Sequence, residues 1–342
     1  MLPYSILYDH VLEFMDGSIW CVKGIKPIDG YVIAHITHVP TSNVKSIRYR
    51  FLRSAIERAR IISRKYRWLV SYIPKLDMIN ILIPLKMVKV YDPREAVIHY
   101  ISNGRNNMER IVGEFISLIS RGARVSVKNL GLSGGYAVYN PTPYEPLEVV
   151  VYGLNEGLKV YNYMRRLMFG RGIVKPLNEG LLAKEYTELR LHDRVDYRLY
   201  KTLERRKVLR GMYKGVRYNI TLLNIEDIKT SDILSVKRIG NVIARARIIN
   251  SRKAIFTPTI YDIEVIDVSE GPLTSKLATQ MYTLDERFKE YLWDDAEVLI
   301  EGMLEKVRVK RYGEVEEYFR IHVYSYRHTI IPIRRLKVPL TP

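Results

Sequence analysis

Residues 131–148 gather the groups best suited to chemistry. Gly131-Leu132-Ser133-Gly134-Gly135 places three glycines around one hydroxyl, and Glu145 and Glu148 follow. Read literally, the five residues match G-x-S-x-G, the turn that presents a nucleophilic serine. That motif needs a strand before it, a helix after it, and an acid and a histidine downstream. His192, His322 and His328 lie downstream. The motif is short and glycine turns are common, so a plain backbone turn is the simpler reading. Glu148 falls inside Leu147-Glu148-Val149-Val150-Val151-Tyr152-Gly153, a buried strand by composition. Glu145 is three residues away, which in an unbroken strand points it to the other face. His35 and His38 are also three apart in a strand-like run, so they diverge and do not chelate a metal.

The second chemical signal is charge. The chain of 342 residues carries 55 Lys and Arg against 37 Asp and Glu, a net charge of +18. Residues 45–67 hold nine basic residues and one acid, and residues 165–217 hold fifteen basic residues and six acids. Nearly all the net charge therefore sits in two segments. A focused positive field attracts a polyanion, because neutralised phosphates release condensed counterions. The first segment reads as a helix over 51–67. Phe51, Leu52, Ala55, Ala59, Ile62 and Tyr66 fall on one side, and Arg53, Arg60, Arg64 and Arg67 on the other. The second offers Arg205, Arg206, Lys207, Arg210 and Lys214. Solvated helical faces are the plain reading of both. Contact with DNA or RNA is the functional one, with roughly six to eight phosphates neutralised if both segments meet one polyanion. An acidic protein partner is the alternative.

Composition excludes several classes. A single cysteine, Cys21, rules out a disulfide framework and a cysteine-based zinc site. No long uncharged apolar run marks a membrane span. The first residues resemble neither a secretory signal nor an Arg-rich transit peptide, so a cytoplasmic location is expected. The lone glutamine, Gln280, beside abundant charge hints at a thermophilic source.

These groups need elements to position them. Residues 18–22 and 31–36 are β-rich runs either side of a Lys26-Pro27-Ile28-Asp29-Gly30 turn. Asp92-Pro93 opens a helix, and Met108, Ile111, Val112, Phe115, Leu118 and Ile119 mark another. The Gly turn, the 147–152 strand and a helix from Leu154 follow in α/β order. Beyond about 240 the texture changes to short strands split by Gly and Pro, as in a small barrel or sandwich. The expected fold is α+β in three parts: 1–105, an N-terminal α/β region with the basic helix; 106–235, a central core of mixed sheet and helices; and 236–342, a β-rich domain.

The turn and strand together resemble the signature of the polymerase-β-type nucleotidyltransferase superfamily. There a Gly-Gly or Gly-Ser turn holds triphosphate through backbone N–H groups. A strand ten or so residues on carries Asp-x-Asp/Glu, which binds Mg²⁺ for phosphoryl transfer. The chain is similar to archaeal nucleotidyltransferase-domain proteins over most of its length. The likeness includes Asp9 to Glu13, Trp20 to Gly24, Asn140-Pro141, Glu148 to Gly153, Ile255 to Tyr261 and Glu301 to Val307. It implies a nucleotide cradle at Ser133, Gly134 and Gly135, and a catalytic carboxylate at Glu148. The first metal carboxylate, however, aligns with Pro146. The strand expected to bring the third offers Arg217, Asn219 and Thr221. The resemblance therefore implies a degenerate site with no metal ligands to name and no cofactor, with Mg²⁺ and NTP relevant only if transferase activity survives. Nucleic-acid binding without catalysis is the leading expectation. An active transferase with relocated ligands, and a structural subunit for an acidic partner, are the alternatives.

Overall fold

In the first strands apolar side chains fill both faces. Val11, Ile19 and Cys21 point one way, and Leu12, Trp20 and Val22 the other, all buried. Such a sheet must be covered on both sides. The computed structural model describes residues 7–41, 49–52, 54–102, 104, 106–142, 145–324 and 328–333. Its contacts divide the chain into two units: Met1–Ile73 with Met78–Leu177 and Val208–Ile228, and Pro74–Asp77 with Asn178–Lys207 and Lys229–Pro342. The first unit thus joins the expected N-terminal and central regions, and the expected boundary at 105 is not a break between units.

The first unit contains two sheets. One comprises β1 (Val11–Phe14), β2 (Ile19–Val22), β3 (Tyr31–Pro40), β4 (Tyr49–Phe51), β5 (Val70–Ile73), β6 (Met78–Pro84) and β7 (Val88–Tyr91). The order is β5-β6-β3-β2-β1-β7, with β4 also on β3 and every pair antiparallel. Helix α1 (Ala55–Lys65) lies between β4 and β5 in sequence. One face of the sheet forms a core of Leu12, Phe14, Trp20, Val22, Ala34 and Ile36, with Leu52, Tyr66 and Leu69 from the segments flanking α1. The other face packs Val11, Ile19 and Cys21 on Ala137, just beyond the Gly turn.

Helices α2 (Pro93–Ser102) and α3 (Asn107–Ala123) lead into the second sheet. Asn106 caps α3 by accepting from the Glu109 N–H, and Val112, Phe115, Ile116 and Ile119 bury its apolar stripe. The sheet is built from β8 (Leu130–Leu132), β9 (Leu147–Tyr152), β10 (Arg210–Tyr213) and β11 (Val216–Leu223), in the order β10-β11-β9-β8. β8 and β9 are antiparallel, whereas β9 and β11 are parallel. A parallel pair needs a long crossover, which α4 (Leu154–Arg165) begins.

The second unit holds α5 (Glu179–Glu188) and α6 (Tyr197–Glu204), then β12 (Ser231–Asn250), β13 (Thr259–Glu270), β14 (Ala278–Thr283), β15 (Glu297–Arg311), β16 (Glu314–His322) and β17 (Thr329–Pro332). β12 pairs with both β13 and β15, so the order β12-β13-β14-β16-β15 closes on itself as a five-stranded barrel. Of the expected alternatives, barrel and sandwich, the pairing makes it a barrel. Val242, Ala244, Ala246 and Ile248 alternate inward from β12, as period-2 patterning requires. The fold is α+β with a β-rich C-terminal part.

Candidate functional site

The glycine turn forms because the chain must reverse between β8 and the segment leading to β9. Gly134 has φ +63°, and a Cβ there would meet the Glu145 carboxylate at 2.6 Å. Gly135 is as crowded, with a Cβ position 2.5 Å from the same group. The turn is a single 3₁₀ turn, Gly134–Tyr136. The α-helix expected after it is absent: the Ala137 N–H closes on the Gly134 carbonyl, the Asn140 N–H on the Gly135 carbonyl, and the chain runs on into Asn140-Pro141. Its neighbour is the expected one. Leu132 pairs with Val149, and the Ser133 N–H donates to the Glu148 carbonyl at 2.9 Å.

What occupies the turn could not be read from spacing. β9 begins only at Leu147, so Glu145 is not on the strand and the opposite-face argument does not apply. It folds back over the turn instead. Its Oε1 accepts from the Gly135 N–H at 2.6 Å, and its Oε2 from the Thr142 N–H at 3.1 Å and the Thr142 hydroxyl at 3.3 Å. The His38 Nε2 lies 3.1 Å from Oε2, with both side chains almost fully buried. His38 Nδ1 sits 3.0 Å from the Thr37 hydroxyl. The chain's own carboxylate therefore takes up the Gly135 N–H of the turn. His38 faces inward while His35 is exposed, so the two do diverge.

Ser133 is also spoken for. It is buried, and its hydroxyl donates to the Asp9 carbonyl at 2.6 Å, with the Cys21 thiol 3.9 Å away. Burial pushes that thiol up to about 11. A serine donating to a backbone carbonyl inside the core is a structural tie between the two sheets rather than a nucleophile.

Glu148 is half-buried on β9, directly opposite Asn219 of β11. The Asn219 amide donates to its Oε1 at 2.9 Å. A third carboxylate would be wanted at such a neighbouring position, and an amide donor stands there. Pro146 offers no side-chain ligand, and Glu145 is held by Gly135, Thr142 and His38. These residues do not fit a Mg²⁺ ion. Among the described residues no group of three His, Cys, Asp or Glu side chains comes together as a metal site.

The basic segments differ from each other. The helix expected from residue 51 starts at Ala55, because Tyr49–Phe51 pairs with β3 and Ser54 then caps α1 by accepting from the Glu57 N–H. No α1 residue is fully buried. Ala55 and Ala59 are exposed, and Ile61 and Ile62 are partly covered. The far end of the helix is anchored by Asp16, which takes Lys65 at 2.7 Å and the Tyr66 hydroxyl at 2.5 Å. Burial opposes ionisation of Asp16. Hydrogen bonds from Lys65, Ser18 and Tyr66 outweigh it and hold the carboxyl well below its usual range. Arg50 pairs with Glu57, and Arg58 donates to the Leu52 carbonyl. Arg60, Arg64 and Arg67 are exposed and, among the described residues, make no ion pair. Arg53 lies outside the described residues.

The second basic segment is divided between the two units. Arg205, Arg206 and Lys207 belong to the barrel unit, and Arg210 and Lys214 to the other. Lys207 is buried. Its ammonium donates to Glu204 at 2.5 Å and to the Arg287 carbonyl at 2.6 Å, so it is a core tie and not a phosphate contact. Arg205 pairs with Glu179 at 3.2 Å, and Lys214 with Glu114 at 2.5 Å. Arg206 stacks over Trp293 at 4.9 Å, and Arg210 is half-buried at the start of β10. A linear count of charge cannot see this pairing.

No helix among the described residues is long and apolar enough to cross a membrane. Compared with protein-family models, curated proteins and solved structures, the chain matches none of them.

Proposed function

We propose that this protein binds nucleic acid through the outer face of α1 and the turn that follows it, on a nucleotidyltransferase-like core that no longer performs phosphoryl transfer. The observation that carries the reading is the trio Arg60, Arg64 and Arg67. Three guanidinium groups stand exposed with no ion pair among the described residues, while their neighbours Arg50 and Lys65 are paired. An arginine held by no carboxylate is free to exchange counterions for phosphate. The order of strand, glycine turn, Glu148 strand and parallel Asn219 strand supports the nucleotidyltransferase-like part. The occupied turn and the Glu148–Asn219 pair support loss of catalysis.

The barrel is a weaker candidate for the same role. Five-stranded barrels of the OB type bind oligonucleotides across their second and third strands. Here the second strand, β13, carries Asp262, Glu264, Asp267 and Glu270, a run of charge that repels phosphate.

The test is fluorescence anisotropy with labelled DNA and RNA oligonucleotides at low salt, with polyglutamate as competitor. The reading expects binding that Arg60→Ala/Arg64→Ala weakens for all sequences alike. Unchanged affinity in that variant refutes it. Preferential capture of polyglutamate over nucleic acid points to an acidic protein partner instead.

A further inference from the structure

Between Glu156 and Glu179 the chain has no acidic residue, yet it carries Lys159, Arg165, Arg166, Arg171 and Lys175. Helix α4 opens this stretch, and its inner face buries Val160 and Met164. The outer face is apolar and uncovered. Leu154 is 40% exposed, and Leu158, one turn on, 38%. About three turns beyond Leu158 the same face reaches Phe169, which is 59% exposed.

The helix runs out in a wide turn, Arg166–Gly170, where the Arg171 N–H reaches back to the Arg166 carbonyl at 3.0 Å. The Ile173 N–H then bonds the Leu167 carbonyl, also at 3.0 Å, so the chain curls over the helix end. Leu167 and Val174 are fully buried and anchor the turn, while Phe169 and the half-exposed Ile173 are left outside. A Cβ on Gly170 or Gly172 would meet nothing within 4 Å, so the turn projects from its unit. Lys159, Arg166, Arg171 and Lys175 are exposed, and among the described residues none of them makes an ion pair.

A projecting line of apolar side chains flanked by cations, with no carboxylate in the stretch, suits a broad anionic surface that also has an apolar layer. Nucleic acid would engage the cations. It would leave Leu154, Leu158 and Ile173 in water, since aliphatic side chains offer bases no ring to stack on. We infer that the outer face of α4 and the turn after it dock on an anionic lipid surface. Phe169, Ile173 and the two leucines enter the boundary between headgroups and acyl chains, and Arg166, Arg171 and Lys175 stay at the level of the lipid phosphates. This surface is distinct from Arg60, Arg64 and Arg67, and the inference does not depend on what those arginines bind.

The experiment is flotation of the full chain with vesicles of phosphatidylcholine alone and of equimolar phosphatidylcholine and phosphatidylglycerol. The inference expects binding to the mixed vesicles and little to the neutral ones. Phe169→Ala/Ile173→Ala keeps every charge and should weaken binding roughly 10-fold or more, because two inserted side chains are lost. Arg166→Ala/Arg171→Ala should weaken it by roughly 5-fold per cation. All four positions are exposed, so both variants should fold. Vesicle binding unchanged in Phe169→Ala/Ile173→Ala would be plain attraction of a basic protein with nothing inserted, and overturns the inference. So does Arg166→Ala/Arg171→Ala losing oligonucleotide affinity while vesicle binding stays intact, which would make this face a nucleic-acid contact. Either result leaves the α1 proposal to its own variant, Arg60→Ala/Arg64→Ala.

Discussion

Replacing Glu145 by alanine opens the glycine turn, and the structure sets what that costs. Four donors lose their acceptor: the Gly135 N–H, the Thr142 N–H and hydroxyl, and the His38 ring. Thr142 is part-buried and can rehydrate, whereas Gly135 and His38 are sealed. A buried donor left unsatisfied costs ~1–3 kcal/mol. Two of them cost about 2–6 kcal/mol, from which the desolvation the carboxylate no longer suffers subtracts. Glu145→Gln keeps the shape and one acceptor but turns an NH₂ toward a donor, for about 1–2 kcal/mol. Urea unfolding followed by tryptophan fluorescence and far-UV circular dichroism reads both values. A second arm uses inorganic pyrophosphate. In Glu145→Ala the turn is open to an anion, so pyrophosphate at ten times its dissociation constant should restore about 1.4 kcal/mol beyond any shift in the wild type. An alanine variant as stable as the wild type, or a pyrophosphate shift equal in both, refutes the argument that Glu145 fills the turn.

Other outcomes follow from the same geometry. Glu305, buried in the barrel, has burial against its ionisation. Hydrogen bonds and charge from His322 and Arg320 outweigh this and hold it at about 2, against 4.5 when unfolded. Its contribution, on the order of 3 kcal/mol, is present above pH 4.5 and lost as pH falls toward 2. Urea midpoints at pH 5 and pH 3 should therefore differ in the wild type, and differ less in Glu305→Gln. Lys207→Ala should cost about 3–5 kcal/mol by removing one partner of a buried ion pair. It should leave nucleic-acid affinity unchanged once folded, whereas a large affinity loss would make Lys207 a contact after all. Calorimetric titration should find no micromolar Mg²⁺ site, and one that disappears in Glu148→Gln would contradict the degenerate reading.

Periodicity carried the regular elements well. The α3 stripe and the 147–152 strand are where their patterns put them, because both bury apolar side chains against a core. Local spacing failed where tertiary contacts decide. Spacing puts Glu145 on an unbroken strand, but the chain bends before Leu147 and the carboxylate turns back to Gly135. The apolar stripe starts the basic helix at residue 51, but β3 captures Tyr49–Phe51. A linear count places Lys207 with the surface cations, and only the fold shows that it is bonded to Glu204 and the Arg287 carbonyl. Val70 and Ile81 face each other only through the register of the β5–β6 hairpin, which one-dimensional spacing does not fix.

Salt dependence tests the central claim most directly. The six to eight phosphates expected from linear charge reduce, on α1 and the turn that follows it, to three exposed guanidinium groups without an ion pair among the described residues. With slopes of about 0.7–0.9 per phosphate, three contacts predict a roughly 20- to 40-fold loss of affinity between 50 and 200 mM salt. In Arg60→Ala/Arg64→Ala one contact remains and the loss should shrink to roughly 3-fold. A variant whose salt slope equals that of the wild type would place the phosphates elsewhere and contradict the account.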